Sequence, residues 1–394
     1  MVSVTGYAYP WDYLDDDAAA PRTAEVGLDV VALAATYHAA RVPRPLHPTR
    51  RVTDVPYSAA YIPIRGDVWR GRRLVPRAPH WLEGERPFLE AQGRLAAEGC
   101  AVDAWIVLTH LDDAAAEYSD LVVRNAFDEP YPYALCPRWD EVRAYCRTLV
   151  EETLLTTECR GVVLEACGPM GLDHGGVHDK LEFARVSSTD DALLSICFCR
   201  ACRDALGSRG LDVEDLARRI RQGLGTGASS PEATLGEGAE EVAAYRASLS
   251  TELRDELLDA VRALRSGAPV TLHTSSRRWA TGSFPAAGDA GSLRGVSSVV
   301  ANCWDDDLAE AEVRALVAMA GDERAVGGYL RLDREWTDAT IDARVRQLTD
   351  WGLSELHLYH LGLLDARGVA GAQRLAIALH TFESNSTLRR EPAN

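Results

Sequence analysis

Lysine is almost missing from this chain of 394 residues. Lys180 is the only one, although lysine and arginine together number 42. Arginine carries the positive charge instead, as GC-rich coding favours, and any Schiff-base chemistry on a lysine amine would have to run through Lys180. Positive charge is also outweighed. Aspartate and glutamate number 59, which leaves a net charge of −17. That balance argues against nucleic acid or an anionic membrane as the main partner. Long apolar runs are missing too, and none approaches the roughly 20 residues a membrane span needs. The start, Met1-Val2-Ser3-Val4-Thr5-Gly6-Tyr7, has neither a basic segment nor a long apolar one. No secretory signal is expected there, and the chain reads as cytoplasmic. Finally, no Gly-rich phosphate loop follows the first apolar run, which argues against a doubly wound nucleotide-binding sheet.

What is present is a repeated alternation. Hydrophobic residues make up 46% of the chain, and they fall in short, β-branched runs separated by longer helical patterns. The eight runs are 3–7, 30–35, 104–109, 162–166, 270–274, 298–302, 327–332 and 355–359. Each is nearly continuous in apolar character, as expected of a strand buried on both faces. Helical spacing is clear over 140–155, 240–264, 308–319, 338–348 and 370–379, and Gly352 is a natural helix stop. Eight strand–helix units predict an α/β fold, a single (β/α)8 TIM barrel over 1–385 with a flexible tail over 386–394. Three strand-to-helix segments are longer than a barrel requires: 10–22, 41–85 and 168–222. They are expected over the C-terminal rim, where loops shape a substrate site. The Gly/Ala/Ser-rich stretch 223–238 is expected to be flexible.

Three of the nine cysteines form Cys197-Phe198-Cys199-Arg200-Ala201-Cys202. That spacing in a cytosolic chain reads as metal ligands before disulfides. Zinc takes four soft ligands in a tetrahedron, so one is missing from the local motif. Cys136, Cys146, Cys159, Cys167 and Cys303 are the candidates.

The segment Phe127-Asp128-Glu129-Pro130-Tyr131-Pro132-Tyr133-Ala134-Leu135-Cys136-Pro137, followed by Glu141-Val142-Arg143-Ala144-Tyr145, resembles a stretch of the family 42 β-galactosidases in which Cys-Pro precedes a helix. The run Gly161-Val162-Val163-Leu164-Glu165 resembles their fourth strand, which ends in the acid/base glutamate. The Cys197 to Cys202 motif resembles their zinc motif. The resemblance spans Asn125 to Arg203. It implies that Cys136 joins Cys197, Cys199 and Cys202 around a structural zinc, and that Glu165 is the general acid/base.

A general acid needs a raised pKa, which burial among apolar neighbours would supply to Glu165. The chain departs from the family at Leu164, where the glycosidases carry an asparagine that contacts the sugar 2-hydroxyl. A retaining glycosidase needs a second carboxylate about 5–5.5 Å from the first. In the related barrels it is a glutamate ending strand 7. Here that region reads Gly328-Tyr329-Leu330-Arg331-Leu332-Asp333-Arg334-Glu335-Trp336, and Asp333 and Glu335 are the acids within reach of the rim.

Other rim groups are expected to bind substrate. Tyr7, Trp11 and Trp304 offer sugar-stacking faces. His110, Asp112, His174, His273, Asn302 and His357 offer polar contacts. The histidines and acids after strand 4, among them Asp173, His174, His178 and Asp179, could instead hold a second, catalytic metal. Three functions follow. The first is a glycoside hydrolase-like enzyme acting on a small carbohydrate or glycoside. The second is a sugar-binding barrel without hydrolysis, and the third a metal-dependent lyase or isomerase on a sugar-like substrate. Self-association into a homo-oligomer stays open, since no sequence feature bears on it.

Overall fold

The computed structural model describes residues 3–84, 86–173, 184, 186–332 and 337–388. Eight parallel strands run β1 (Ser3–Ala8), β2 (Val30–Tyr37), β3 (Val102–Val107), β4 (Val162–Glu165), β5 (Val270–His273), β6 (Ser298–Asn302), β7 (Ala325–Arg331) and β8 (Glu355–Tyr359). Each pairs with its sequence neighbours, and β1 pairs with both β2 and β8, so the sheet closes. Thr5 aligns with Val30 on one side and with His357 on the other. This is the expected (β/α)8 barrel. All eight predicted strands are present, each within two residues of its expected ends. Residues of β2, β3 and β4 are buried throughout, because helices cover one face and the barrel interior the other.

The helices outside are α1 (Ala19–Glu25), α2 (Pro87–Ala97), α3 (Asp140–Thr156), α4 (Ala239–Leu264), α5 (Asp306–Ala320), α6 (Asp338–Trp351) and α7 (Ala366–Leu388). Gly352 ends α6 with a φ of 97°, a conformation that glycine adopts without penalty. Long α3 packs along α4, and Arg143 Nε lies 2.7 Å from Glu256 Oε1 across the pair. One expectation fails in the fifth unit. Between β5 and β6 the described residues hold a 3-10 turn, Ala290–Leu293, where the other units have an α-helix. That stretch is rich in Gly, Ser and Ala and lacks a helical apolar stripe.

The rim segments are more structured than their composition suggests. In 10–22 a 3-10 turn, Pro10–Asp12, leads into α1. In 41–85 a hairpin pairs Ala40–Pro43 with Val52–Val55, and Ala59–Ala60 adds antiparallel to the end of β2. The described part of 168–222 carries helices Ser188–Leu194, Arg200–Ser208 and Val213–Gly223. The stretch expected to be flexible contains a helix, Pro231–Leu235, whose first turn is capped by Ser230. Serine at the N-cap and proline at N1 outweigh the glycines nearby. Among the described residues no helix is long and apolar enough to cross a membrane.

Candidate active site and candidate metal centre

Side chains alternate across a strand, so every second residue of each barrel strand points inward. On β4 this brings Glu165 to the C-terminal end of the barrel interior. It is 5% exposed. Trp105 of β3 donates its indole N–H to Glu165 Oε2 at 2.7 Å. His273 Nδ1 of β5 lies 3.4 Å from the same oxygen. Burial pushes the Glu165 carboxyl up, but His273, then the His38 charge and the Trp105 donor, outweigh it and hold the carboxyl below the usual glutamate range. The raised pKa expected from burial is therefore reversed. The pocket around this glutamate is polar and donor-rich rather than apolar.

Beneath Glu165 the interior is a chain of polar groups. Tyr7 Oη lies 2.6 Å from His273 Nε2 and 3.0 Å from His357 Nδ1. His357 Nε2 lies 3.2 Å from Glu355 Oε2, which also accepts from the Ser298 hydroxyl. Burial, then the charges of Glu165 and Glu355, push the Tyr7 hydroxyl far above its ordinary pKa, so it stays protonated. Burial holds the His273 pKa down despite Glu165 beside it.

Around Glu165 stands an aromatic wall. The hydroxyls of Tyr9 and Tyr37 approach Tyr359 Oη at 3.4 and 3.3 Å. Tyr329 stacks on Trp304 with centroids 5.6 Å apart and meets Tyr359 at 5.4 Å. His38, at the end of β2, stacks between Tyr37 and His110. Burial, with His110 beside it, pushes the His38 pKa down to about 4.

The expected substrate-binding residues separate into groups. Asn302 and Trp304, at the end of β6, are half-buried at the rim, and Asn302 Oδ1 accepts from the Trp304 backbone N–H at 2.9 Å. Tyr7, His273 and His357 do not line a rim surface. All three are sealed inside the barrel, because they point inward from their strands. Trp11 is also buried, stacked on Tyr9 at 4.4 Å and edge-on to Tyr61 and Trp81 under the 41–85 segment. His110 is buried and its Nε2 lies 3.7 Å from Asp112 Oδ1. Asp112 accepts from Ser58 Oγ at 2.8 Å and from the Ala39 N–H, so it ties the loop after β3 to the segment after β2. His174, His178, Asp179, Lys180, Asp333, Glu335 and Trp336 lie outside the described residues.

Sequence reading missed Trp105, His38, Tyr37, Tyr329 and Glu355. The alternation Glu355, His357, Tyr359 on β8 was the available signal, since period two puts all three on one face.

The four cysteines do converge. The Sγ atoms of Cys136, Cys197, Cys199 and Cys202 lie within 4.8 Å of one another, all buried. Cys136 Sγ is 3.4 Å from that of Cys202 and 3.8 Å from those of Cys197 and Cys199. A tetrahedron with bonds of about 2.3 Å has edges of about 3.8 Å, so the spacing fits a metal held by four thiolates. Cys136 follows a hairpin, Val122–Arg124 with Pro130–Leu135, that grows from the loop after β3. The other three come from the loop after β4, and Phe198 N donates to Arg124 O at 2.6 Å beside them. Tyr133 of the hairpin donates to the carbonyls of Gly171 and Leu172. Arg246 of α4 donates to Ser195 O at 2.8 Å from the other side. Cys146, Cys159, Cys167 and Cys303 are buried elsewhere. Among the described residues no second group of three or more histidines, cysteines or acids converges in this way.

With this geometry in hand, the class of fold is the (β/α)8 barrel, and the solved structures it resembles include barrels of glycoside hydrolases. The chain superposes on the α-L-fucosidase isoenzyme 2 of Paenibacillus thiaminolyticus with a TM-score of 0.58 and 12% identity, covering 99% of this chain and 51% of that one. It therefore spans about half the length of that fucosidase. The glycoside hydrolase domain of PgaB (BpsB) from Bordetella bronchiseptica gives 0.58 at 14% identity, covering 96% of this chain and 99% of that one. A catalytic mutant of a GH42 β-galactosidase from G. stearothermophilus gives 0.54 at 10%, covering 97% and 57%. At these identities the likeness is one of fold. No protein-family model matches the chain, and no curated protein matches it in sequence.

Proposed function

We propose that this chain is a glycoside hydrolase-like enzyme acting on a small carbohydrate or glycoside, a divergent relative of the family 42 β-galactosidases, with Glu165 as its proton-transfer residue. The observation that carries this reading is the position of Glu165: a carboxyl at the end of β4, held by Trp105 and His273 among aromatic side chains. Barrel enzymes draw their catalytic groups from strand ends of this kind. In glycoside hydrolysis such a glutamate protonates the leaving oxygen and, as a carboxylate, takes a proton from the attacking water. Asp333 or Glu335, following β7, supplies the opposing carboxylate. Trp304 and Asn302 at the end of β6 meet the sugar, one by its ring face and one by its amide.

The four-cysteine cradle is assigned to zinc. Its thiolate set and its spacing suit that ion, and four protein ligands leave no open position. Its role is to clamp the hairpin after β3 to the loop after β4.

The test is turnover on a panel of aryl glycosides. Glu165→Gln should lower turnover by about 10²–10⁴-fold, with the protein still folded and its zinc content kept. Full activity in that variant would sink the assignment.

A second reading is a sugar-binding barrel without hydrolysis. The depressed Glu165 carboxyl and its near-complete burial favour it. Calorimetric titration with oligosaccharides separates the two: binding without turnover supports the second reading, and turnover removes it.

A further inference from the structure

Barrel interiors of this class are filled mainly by branched apolar side chains. Here a continuous polar thread runs down the axis instead. It leads from Glu165 at the mouth through His273, Tyr7 and His357 to Glu355 at the opposite end; the first link is an ion-pair contact of 3.4 Å without hydrogen-bond alignment, and the next three are hydrogen-bond contacts of 2.6, 3.0 and 3.2 Å. The three central residues are at most 1% exposed. The Glu355 carboxyl is 20% exposed, at the first residue of β8, where the thread meets solvent. Burying such groups is costly, and the cost falls most on His273 Nδ1, which has no aligned hydrogen bond. The fold also makes room for them. A Cβ on Gly327 of β7 would fall 2.5 Å from His357 Cδ2.

We infer that Tyr7, His273, His357 and Glu355 form a proton relay that couples Glu165 to solvent at the far end of the barrel. The hydrogen-bond directions close in two ways. In the first, His357 carries two protons. Its Nε2–H donates to the Glu355 carboxylate and its Nδ1–H donates to Tyr7 Oη. The Tyr7 O–H donates to His273 Nε2, and the His273 Nδ1–H faces the Glu165 carboxylate across 3.4 Å, the one link that must shorten for a proton to pass. In the second, three protons have each moved one link. His273 Nδ1 has given its proton to Glu165 Oε2, Tyr7 has given its own to His273 Nε2, and His357 Nδ1 has given its own to Tyr7. Glu165 is then a neutral acid, His273 and His357 are neutral with their protons on Nε2, and Tyr7 is again a phenol. The net change is one proton carried from His357 to Glu165, and total charge is conserved. Refilling comes from water through Glu355.

Other charged and titratable groups face the thread from neighbouring strands. His38, just past β2, faces Glu165, and Tyr329 of β7 packs against both Tyr7 and His273, with ring centroids 4.9 and 5.0 Å away. Asp103 of β3 lies near Tyr7 and pairs with Arg160 at 2.8 Å, and the Arg160 charge reaches Glu355. The relay deepens the reading of Glu165 as the proton-transfer residue and rests on it: an acid sealed beneath a bound substrate would be recharged from behind. Tyr7, His357 and Glu355 are positioning residues, since they act through Glu165.

The experiment is an infrared titration of the protein labelled with ¹³C in its glutamate carboxyls, with Glu165→Gln used to assign the Glu165 band. Glu355→Gln should raise the Glu165 midpoint by about one pH unit, the level at which sites titrate as a coupled pair. The rise should vanish when the thread is cut by Tyr7→Phe, and again when it is cut by His357→Gln. Each variant is checked by thermal unfolding, and the two cuts fall at different links, so loss of one fold leaves the other arm. Simple removal of a negative charge acts in the opposite direction and lowers the midpoint. No shift in the uncut protein, a downward shift, or an upward shift that survives either cut would overturn the relay. The titration reads protonation and not turnover. A protein inactive on every glycoside leaves it intact, and failed coupling leaves hydrolysis by Glu165 standing.

Discussion

The indole N–H of Trp105 donates to the Glu165 carboxylate at 2.7 Å, joining residues 60 apart in sequence on adjacent strands. The bond does two things. It satisfies a buried indole nitrogen, and it helps hold the carboxylate in its ionised form.

Trp105→Phe removes that donor while keeping an aromatic ring. A buried charge-assisted bond is lost, at a cost of about 1–3 kcal/mol. The sign of the pH effect follows from the depressed carboxyl. Its contribution to stability is present above the ordinary glutamate pKa and is lost as pH falls through the folded value. In the variant the folded carboxyl rises, so stability falls away at higher pH than in the parent. Urea unfolding between pH 3 and pH 7 measures both, and parallel stability profiles would refute the point.

Cys136→Ser breaks the four-thiolate cradle at the ligand contributed by the hairpin after β3. Zinc content, read by elemental analysis, should fall from one per chain towards zero, with a lowered melting temperature. Cys146→Ser is the control. Cys146 is equally buried but lies outside the cluster, so its variant should keep the metal. Retention of zinc by the Cys136 variant would show that the site does not need its fourth thiolate.

Gly327→Ala places a methyl group 2.5 Å from His357 Cδ2 and 2.7 Å from Nε2. His357 is held between Tyr7 and Glu355 and has nowhere to retreat. Overpacking of this kind costs about 1–3 kcal/mol. Chemical denaturation checks it, and an unchanged midpoint would mean the ring can move freely.

Asp12 is buried beside Arg44, and its carboxyl is raised to about 7 by burial, with only partial relief from the Tyr9 N–H and Arg44. A raised carboxyl contributes stability at low pH that is lost as pH rises through the folded value. Asp12→Asn keeps an acceptor for the Tyr9 N–H and removes the titration. The variant should gain at least about 1 kcal/mol over the parent at pH 8 and match it more closely at pH 4. Equal profiles across that range would contradict the buried-acid assignment.

Much of this molecule is legible in its residues. Val30 to Ala35 reads as a strand because a run buried on both faces must be apolar throughout. Gly352 reads as a helix stop because few other residues accept its backbone conformation. Cys197, Cys199 and Cys202 read as ligands because their spacing is local. Cys136 needed a family resemblance, since no spacing rule links a cysteine 61 residues upstream to the triplet.

The residues around Glu165 were harder to see. Trp105, His273, Tyr7 and His357 come from four strands, and nothing in a single strand says which side chains meet across a closed barrel. Local pattern determines which segments become strands, because periodicity and burial act over a few neighbouring residues. Closure of the sheet determines that Tyr7 lies between His273 and His357, and that Glu165 is held ionised rather than raised. Those outcomes depend on distances set by eight strands together, and a one-dimensional pattern does not carry them.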